Sequence, residues 1–213
     1  IVLLFLPVMS LLMLSAVMIK GELDTSKDLS TLNQTGELSR SASVLVHEIQ
    51  IERGRSGGFL ASGGTVFRDE LLQQRLVVDK AWKRLETVTV SHQVDLSDVV
   101  MQLLKRRAKT LADTRNKVDK LSILPREAVG HYSTISRELL GILQTLASTI
   151  QHRDTARNLE ALLNLARAKE AAGQERAEGS SILAMGDGDK RSALTTRLIE
   201  LAAEQRVYFQ YFL

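Results

Sequence analysis

Two arginines, Arg53 and Arg176, stand in matching short motifs that lie far apart in the chain. Residues 52–64 read ERGRSGGFLASGG and residues 175–187 read ERAEGSSILAMGD; aligned without gaps, Glu, Arg, a Leu-Ala pair and a later Gly coincide. A guanidinium group offers parallel N–H donors that match two oxygens of a planar oxyanion. Two such groups, one from each half of a pseudo-repeated chain, predict a site that grips a small anion from opposite sides.

Small residues accompany both arginines and would leave room for a ligand. Ser56 and Gly57 follow Arg53, and Ser180 follows Arg176. Glycine inside a helix costs ~0.5–1 kcal/mol relative to alanine, so several glycines in one helical segment suggest a gain elsewhere. The candidate anion-binding residues are therefore Arg53, Arg176, Ser56, Gly57 and Ser180.

The helical position of each arginine predicts that it points into the protein. Arg53 shares a stripe with Leu45 and Ile49, and Arg176 shares a stripe with Leu165 and Ala172. An unpaired buried charge is costly, so each guanidinium needs a carboxylate, backbone carbonyls, water or a ligand anion. The alternative to a ligand site is a pair of internal salt bridges to Glu52, Glu175 or other acids, or side chains that reach the surface.

The motif segments resemble a known family. Residues 50–64, QIERGRSGGFLASGG, with Phe67, Leu71, Gln74-Arg75 and Asp79-Lys80-Ala81 after them, resemble the opening of the nitrate- and nitrite-sensing (NIT) domain. Residues 169–177, KEAAGQERA, and 204–209, EQRVYF, are similar to its second half.

The resemblance covers roughly Ser39 to the end of the chain. It implies an all-helical module of chemoreceptors, histidine kinases, nucleotide cyclases and transcription antiterminators, which binds nitrate or nitrite through arginines that fall on Arg53 and Arg176. The chain departs from the pattern at Ala177, where the first copy has Gly54, in the short stretch between the motifs, and in a missing C-terminal end.

Composition and motif searches exclude most other functions. The absence of cysteine rules out disulfides, thiolate metal sites and cysteine nucleophiles, and the four histidines have no paired metal-ligand spacing. Residues 54–58 match G-x-S-x-G, but they lie in a helical pattern rather than on the strand-to-helix turn that a hydrolase needs. We predict no enzyme activity, no cofactor and no metal. The net charge of +3 is spread along the chain without a polybasic tract, so nucleic acid is not an expected partner.

Residues 1–19 contain no charged side chain. At ~1.5 Å per residue, a helix of this length spans roughly 28 Å, close to the hydrocarbon thickness of a bilayer. We predict a transmembrane helix over residues 1–19, with a secretory signal peptide as the alternative. Residues 20–43 are predicted to form a membrane-proximal stalk helix, and residues 44–213 an anion-sensing domain that is incomplete at its C-terminal end.

Apolar residues recur with helical spacing through the rest of the chain, and no stretch alternates with the period of a strand. The stalk helix is expected to continue to Ala61 and to end at Gly63-Gly64. Further helices are predicted over residues 66–88, 96–121, 129–151, 154–185 and 191–213, with Pro125 marking a break. The fold class is all-α, a bundle of about six long helices in pseudo-repeated halves.

Together these features predict the extracytoplasmic ligand-binding region of a bacterial transmembrane signalling receptor that senses nitrate or nitrite. Its expected location is the bacterial inner membrane, with the sensor domain outside the cytoplasm. Expected partners are nitrate or nitrite, the membrane and, by analogy with transmembrane receptors, a second copy of the chain in a homodimer. The alternative is a membrane-tethered helical interaction or structural module without a small-molecule ligand.

Overall fold

The structure is a computed structural model, and it describes residues 33–91, 97–149, 153–184 and 189–212. Within these ranges the chain forms six helices and no strand: α1 over residues 33–61, α2 Arg68–Ser91, α3 Ser97–Asp119, α4 Pro125–Thr149, α5 Arg153–Ala184 and α6 Asp189–Phe212. The predicted all-α class is confirmed, and the predicted helix ends differ from the observed ones by a few residues.

Two glycines end α1, as the sequence predicts. Gly63 and Gly64 have φ angles of 63° and 84°, in the left-handed region that favours glycine. The Gly64 N–H donates to the Phe59 carbonyl at 2.8 Å, and the Gly63 N–H donates to the Leu60 carbonyl at 3.1 Å. This paired arrangement satisfies the last carbonyls of the helix and turns the chain towards α2.

Helix α4 begins at Pro125, four residues earlier than predicted. Proline fits the first turn of a helix because the N–H that it lacks would have no partner within the helix. The residue that was expected to break the pattern therefore starts the next helix.

Helices α1 to α4 form a four-helix bundle around one core. Ile49, Leu85, Leu104 and Leu139, one from each helix in turn, are at most 1% exposed and belong to the same cluster of buried side chains. Full burial of an aliphatic side chain contributes about 1.5–3 kcal/mol relative to leaving it exposed. This shared core holds the four helices together. Helices α1 and α4 also place polar residues inside the bundle.

A second, smaller cluster shows how the four helices run. Phe59, Leu71, Val118 and Ala128 are buried together, and they lie at the end of α1, the start of α2, the end of α3 and the start of α4. The α1–α2 and α3–α4 turns therefore lie at one end of the bundle. Neighbouring helices in sequence run antiparallel.

Helix α5 packs on α4 and α6 and also contacts α1. Leu163 joins the main core, and Ala168 and Ala171 further along α5 are buried. These small side chains let α5 lie close to the bundle. The part of α5 that follows Ala168 is the part that meets the motif of α1.

The predicted transmembrane helix over residues 1–19 lies outside the described residues, as does the first part of the predicted stalk. Residues 33–43 belong to α1, where Leu38 and Ala42 are buried in the main core. Across the described parts of the chain, none of the helices has the length and apolar character to cross a bilayer. The proposed domain boundaries remain predictions.

Candidate functional site

Arg53 lies inside the protein, where α1, α4 and α5 meet. Only 6% of the residue is exposed. Its Nη1 donates a hydrogen bond to the Ser133 hydroxyl of α4 at 2.8 Å and forms a salt bridge with the Glu170 carboxylate of α5. The prediction of an inward-facing Arg53 is therefore confirmed, and its partner is an acid 117 residues away in sequence.

The Glu170 carboxylate that contacts Arg53 also accepts hydrogen bonds from two side-chain amides. Its Oε2 accepts a hydrogen bond from Gln50 Nε2 at 2.8 Å, and its Oε1 accepts one from Gln174 Nε2, also at 2.8 Å. Gln50 lies one turn before Arg53 on α1, and Gln174 lies one turn after Glu170 on α5. The carboxylate is a planar oxyanion, and a guanidinium group and two amides bind it.

Gly173 allows the backbone of α5 to come close to Arg53. A Cβ atom at this position would collide with Arg53 Nη2, and the residue has no such atom. The absence of a side chain thus creates the space that the guanidinium fills. Any larger residue would have to push the end of the Arg53 side chain away.

Glu52, the neighbour of Arg53, belongs to a different cluster. It is fully buried, and both of its oxygens accept hydrogen bonds from Arg115 of α3, at 2.7 Å each. The Tyr132 hydroxyl of α4 donates to Glu52 Oε1 at 2.9 Å and accepts from the Ser56 hydroxyl at 3.2 Å. Glu52 is therefore paired with a guanidinium group from α3 and with a phenol from α4.

The pKa values of two partners of Glu52, Tyr132 and Arg115, are shifted by their surroundings. Burial raises the pKa of the Tyr132 phenol, and the negative charge of Glu52 raises it further. Burial alone would lower the pKa of Arg115, but its hydrogen bonds and charge interactions with Glu52 and Asp79 raise that pKa above its usual value. Arg115 stays charged and Tyr132 stays protonated at neutral pH.

Arg75 completes the Glu52 cluster from α2. Its Nε lies 3.7 Å from Glu52 Oε1, and its Nη1 lies 2.8 Å from Asp119 Oδ1. Arg75 belongs to the Gln-Arg pair that follows the first motif, and its neighbour Gln74 hydrogen-bonds Glu48 of α1. The first motif and its Gln-Arg pair are thus joined in one polar cluster.

The structure brings together only part of the predicted anion-binding set. Ser56 is fully buried but bonds Tyr132 in the Glu52 cluster, and Gly57 packs against Val129 of α4. The Ser180 side chain lies outside the described part of the structure. Arg53 is buried between helices, where its guanidinium contacts Ser133 and Glu170.

Arg176 is exposed on α5, so the expectation that it points inward is wrong. The reason is that the buried face of α5 runs through Leu163 and Ala171, whereas Leu165, on the predicted stripe, is 37% exposed. In a segment rich in alanine and glycine, few large apolar residues mark the inner face. Arg176 nevertheless lies three residues after Gly173, which is about one turn along the same side of α5.

Ser133 and Glu170, which hold Arg53, are not among the site residues predicted from the sequence. Glu170 and Ser133 are polar residues on inner helix faces, where a search for apolar periodicity does not look. A usable signal for Glu170 is its position seven residues after Leu163, which puts both residues on one face of α5.

Comparison with known proteins places these features in a family. The family model described as nitrate and nitrite sensing matches residues 44–213. A nitrate regulatory protein of Klebsiella oxytoca is 31% identical over 189 residues, which make up 87% of this chain and 47% of that protein. The solved structure of the NasR transcription antiterminator matches with a TM-score of 0.80 at 30% identity, over 92% of this chain and 53% of that one. The chain spans about half the length of these relatives.

These relatives correct the predicted function and location. The matched proteins are a nitrate regulatory protein and a transcription antiterminator, and neither is named as a membrane receptor, a chemoreceptor or a histidine kinase. The prediction of an extracytoplasmic region of a transmembrane receptor is therefore wrong, and so is the location in the bacterial inner membrane with the sensor outside the cytoplasm. Both rested on one physical feature, the charge-free run over residues 1–19, and not on the helical domain.

The predicted partners also need correction. Excluding nucleic acid is wrong, because one matched protein is a transcription antiterminator. The lack of a polybasic tract describes only the surface of this segment, which spans about half of its relatives. The membrane was expected from the charge-free run over residues 1–19, which lies outside the described residues. The homodimer was expected by analogy with transmembrane receptors, and that analogy no longer applies. The expectation that the chain is not an enzyme is confirmed by a family defined by sensing.

Proposed function

We propose a function on the basis that the chain belongs to the nitrate and nitrite sensing (NIT) family, whose model matches residues 44–213. In this proposal the chain is the anion-binding region of a regulatory protein that adjusts transcription when nitrate or nitrite is present. The named roles of the two relatives, nitrate regulation and transcription antitermination, support this direction.

The observation that carries the proposal is the burial of Arg53 between three helices. A positive charge that is only 6% exposed is costly unless an anion compensates it. Its compensating anion is the carboxylate of a different helix, a planar oxyanion like nitrate and nitrite. A site that already accommodates this shape and charge is suited to the family's ligand.

The other predicted residues have different parts in the proposal. Arg53 is the principal ligand, and Arg176, which is exposed about one turn beyond Gly173 on α5, is proposed as a second contact for the anion. Gly57 keeps the packing of α1 against α4 close, and Ser56, one turn after Arg53, belongs to the neighbouring Glu52 cluster through its bond to Tyr132. Ser180, which lies closer to the end of α5, is proposed as a further contact for the anion.

Binding would act on the contact between α1 and α5. Arg53 and Gln50 belong to α1, and Glu170 and Gln174 belong to α5, so an anion among them changes how the two helices attract each other. Helix shifts of ~1–2 Å are a common way to pass such a change to a connected element. Because nitrate has few atoms, a ceiling of about −1.5 kcal/mol per heavy atom gives roughly −6 kcal/mol, or a Kd in the tens of micromolar at best.

Calorimetric titration with sodium nitrate and sodium nitrite tests the proposal. Arg53→Ala is expected to abolish binding of both anions, because the remaining amide and hydroxyl donors carry no charge. Arg53→Lys is expected to restore little, since an ammonium group lacks the planar pair of donors. Helical circular dichroism of each variant shows whether the fold is retained.

Arg84→Ala is the matched control. Arg84 forms an exposed salt bridge with Glu37, so its removal also takes away one arginine and one ion pair, but on the surface. Sodium chloride at the same ionic strength separates oxyanion binding from general screening. Nitrate affinity that is unchanged in a folded Arg53→Ala variant would show that the Arg53–Glu170 pair is only a structural clamp.

A further inference from the structure

We infer that Glu170 is the built-in occupant of the anion site and changes partners when nitrate or nitrite binds. Its carboxylate leaves Arg53 and turns into an adjoining cavity, where Arg137 and Arg167 receive it. The inference rests on the proposed function, in which Arg53 binds the anion. It assigns a role to Glu170, Arg137 and Arg167, which are not among the site residues predicted from the sequence.

The cavity lies between α4, α5 and α6, and Glu170 forms part of its wall. Its volume is about 640 Å³, and its lining includes Gly141 of α4 and Ala171 of α5, whose small side chains leave the space open. Arg137 and Arg167 line the same space. Glu170 therefore lies between Arg53 and a cavity that two further arginines line.

These two arginines are not committed to carboxylates. Among the described residues, Arg137 forms no salt bridge, and Arg167 donates to the neutral amide of Gln144 and stacks on the Tyr208 ring, with 5.7 Å between the guanidinium carbon and the ring centroid. A third lining arginine, Arg197, is already paired with Glu200 at 3.0 Å. Arg137 and Arg167 are thus available to accept a carboxylate.

The exchange keeps charges compensated in both states. Without ligand, Glu170 neutralises Arg53, and Arg137 and Arg167 remain in contact with the open cavity. With ligand, the anion neutralises Arg53, and Glu170 is neutralised by the arginines of the cavity. Leaving either Arg53 or Glu170 buried without a partner would be strongly unfavourable, and a partner exchange avoids this.

The departing carboxylate leaves behind donors that suit the incoming anion. Gln50 Nε2 and Gln174 Nε2 each donate to a Glu170 oxygen at 2.8 Å, and Arg53 Nη1 donates to the same carboxylate. Nitrate or nitrite in its place would present oxygens to the same three groups. Gln50 and Gln174 are accordingly further ligand-binding residues.

Glu170→Gln tests the exchange by calorimetric titration with nitrate. The substitution keeps the size of the side chain and an oxygen that can accept from Arg53, but it removes the competing charge. Nitrate is expected to bind about tenfold more tightly or better, within the range of coupling effects between linked equilibria. Glu138→Gln is the matched control, because Glu138 pairs with Arg107 on the other side of α4, and its nitrate affinity should match that of the unaltered protein.

A double variant, Arg137→Ala with Arg167→Ala, tests the receiving side without breaking a salt bridge of the described structure. Nitrate is expected to bind about fivefold more weakly or worse, because the displaced carboxylate has no new partner. Unchanged or weaker binding in Glu170→Gln, or unchanged binding in the double variant, overturns the exchange. If the exchange is overturned in this way but Arg53→Ala no longer binds nitrate, the proposed function still holds. If Arg53→Ala binds nitrate as before, both the proposed function and the exchange are wrong.

Discussion

Glu52 and Arg53 are neighbours in the sequence, but their charges are compensated by different numbers of partners on different helices. Glu52 points towards α3 and α4, where Arg115 binds both of its oxygens and Tyr132 donates a further hydrogen bond. Arg53 points towards α4 and α5, where one carboxylate, that of Glu170, balances its charge. Glu52 therefore has partners from three helices, whereas among the described residues one carboxylate beside a cavity balances the charge of Arg53.

The difference separates a structural cluster from a candidate ligand site. Exchanging the partner of Glu52 would require breaking bonds to α3 and α4 together, and Glu52 is fully buried. Exchanging the partner of Arg53 requires the movement of one carboxylate next to open space of about 640 Å³. Two adjacent residues of one motif can therefore serve stability and binding respectively, and mutations should separate the two effects.

Removal of Glu52 is expected to have the largest effect on stability. Glu52→Ala leaves the buried Tyr132 hydroxyl without its acceptor, and it leaves the partly exposed Arg115 with the exposed Asp79 as its remaining acid partner among the described residues. Breaking a buried ion pair typically costs about 3–5 kcal/mol. Urea unfolding, followed by circular dichroism, measures this loss. Glu37→Ala breaks an exposed pair with Arg84 and should change the unfolding free energy by less than about 1 kcal/mol. Equal effects of the two variants would contradict the assignment of Glu52 as a structural centre.

A smaller effect is expected at alkaline pH through Tyr132. Its pKa is raised in the folded protein, so above the ordinary phenol pKa of about 10 the unfolded chain loses this proton while the folded chain keeps it. Stability contributed by Tyr132 is therefore present below about pH 10 and is lost as pH rises further, by at most about 1.4 kcal/mol per pH unit. Unfolding free energies at pH 9, 10 and 11 should fall more steeply for the unaltered protein than for Tyr132→Phe. Parallel slopes would show that the phenol is not perturbed.

The helices could be predicted from the sequence because their signals are local. Apolar residues at helical spacing, and the glycines at 63 and 64, fix where α1 ends and which face of each bundle helix is buried. Arg53 could be placed inside for the same reason, since it shares its stripe with the buried Leu45 and Ile49.

The partners of Arg53 could not be predicted in the same way. Glu170 is 117 residues away, and only the packing of α5 across α1 brings the two together. A prediction from apolar periodicity places glutamate residues on the surface, so it does not identify a buried glutamate. The predicted position of Arg176 is wrong for a related reason, because Leu165 of α5 is exposed although it suggested an inner face.

A crystal structure of the protein with nitrate would test the central claim most directly. The expected result is nitrate bound to Arg53, Gln50 and Gln174, with the Glu170 carboxylate turned towards Arg137 or Arg167 and the Glu52–Arg115 pair unchanged. Nitrate bound elsewhere, with the Arg53–Glu170 salt bridge intact, would contradict it.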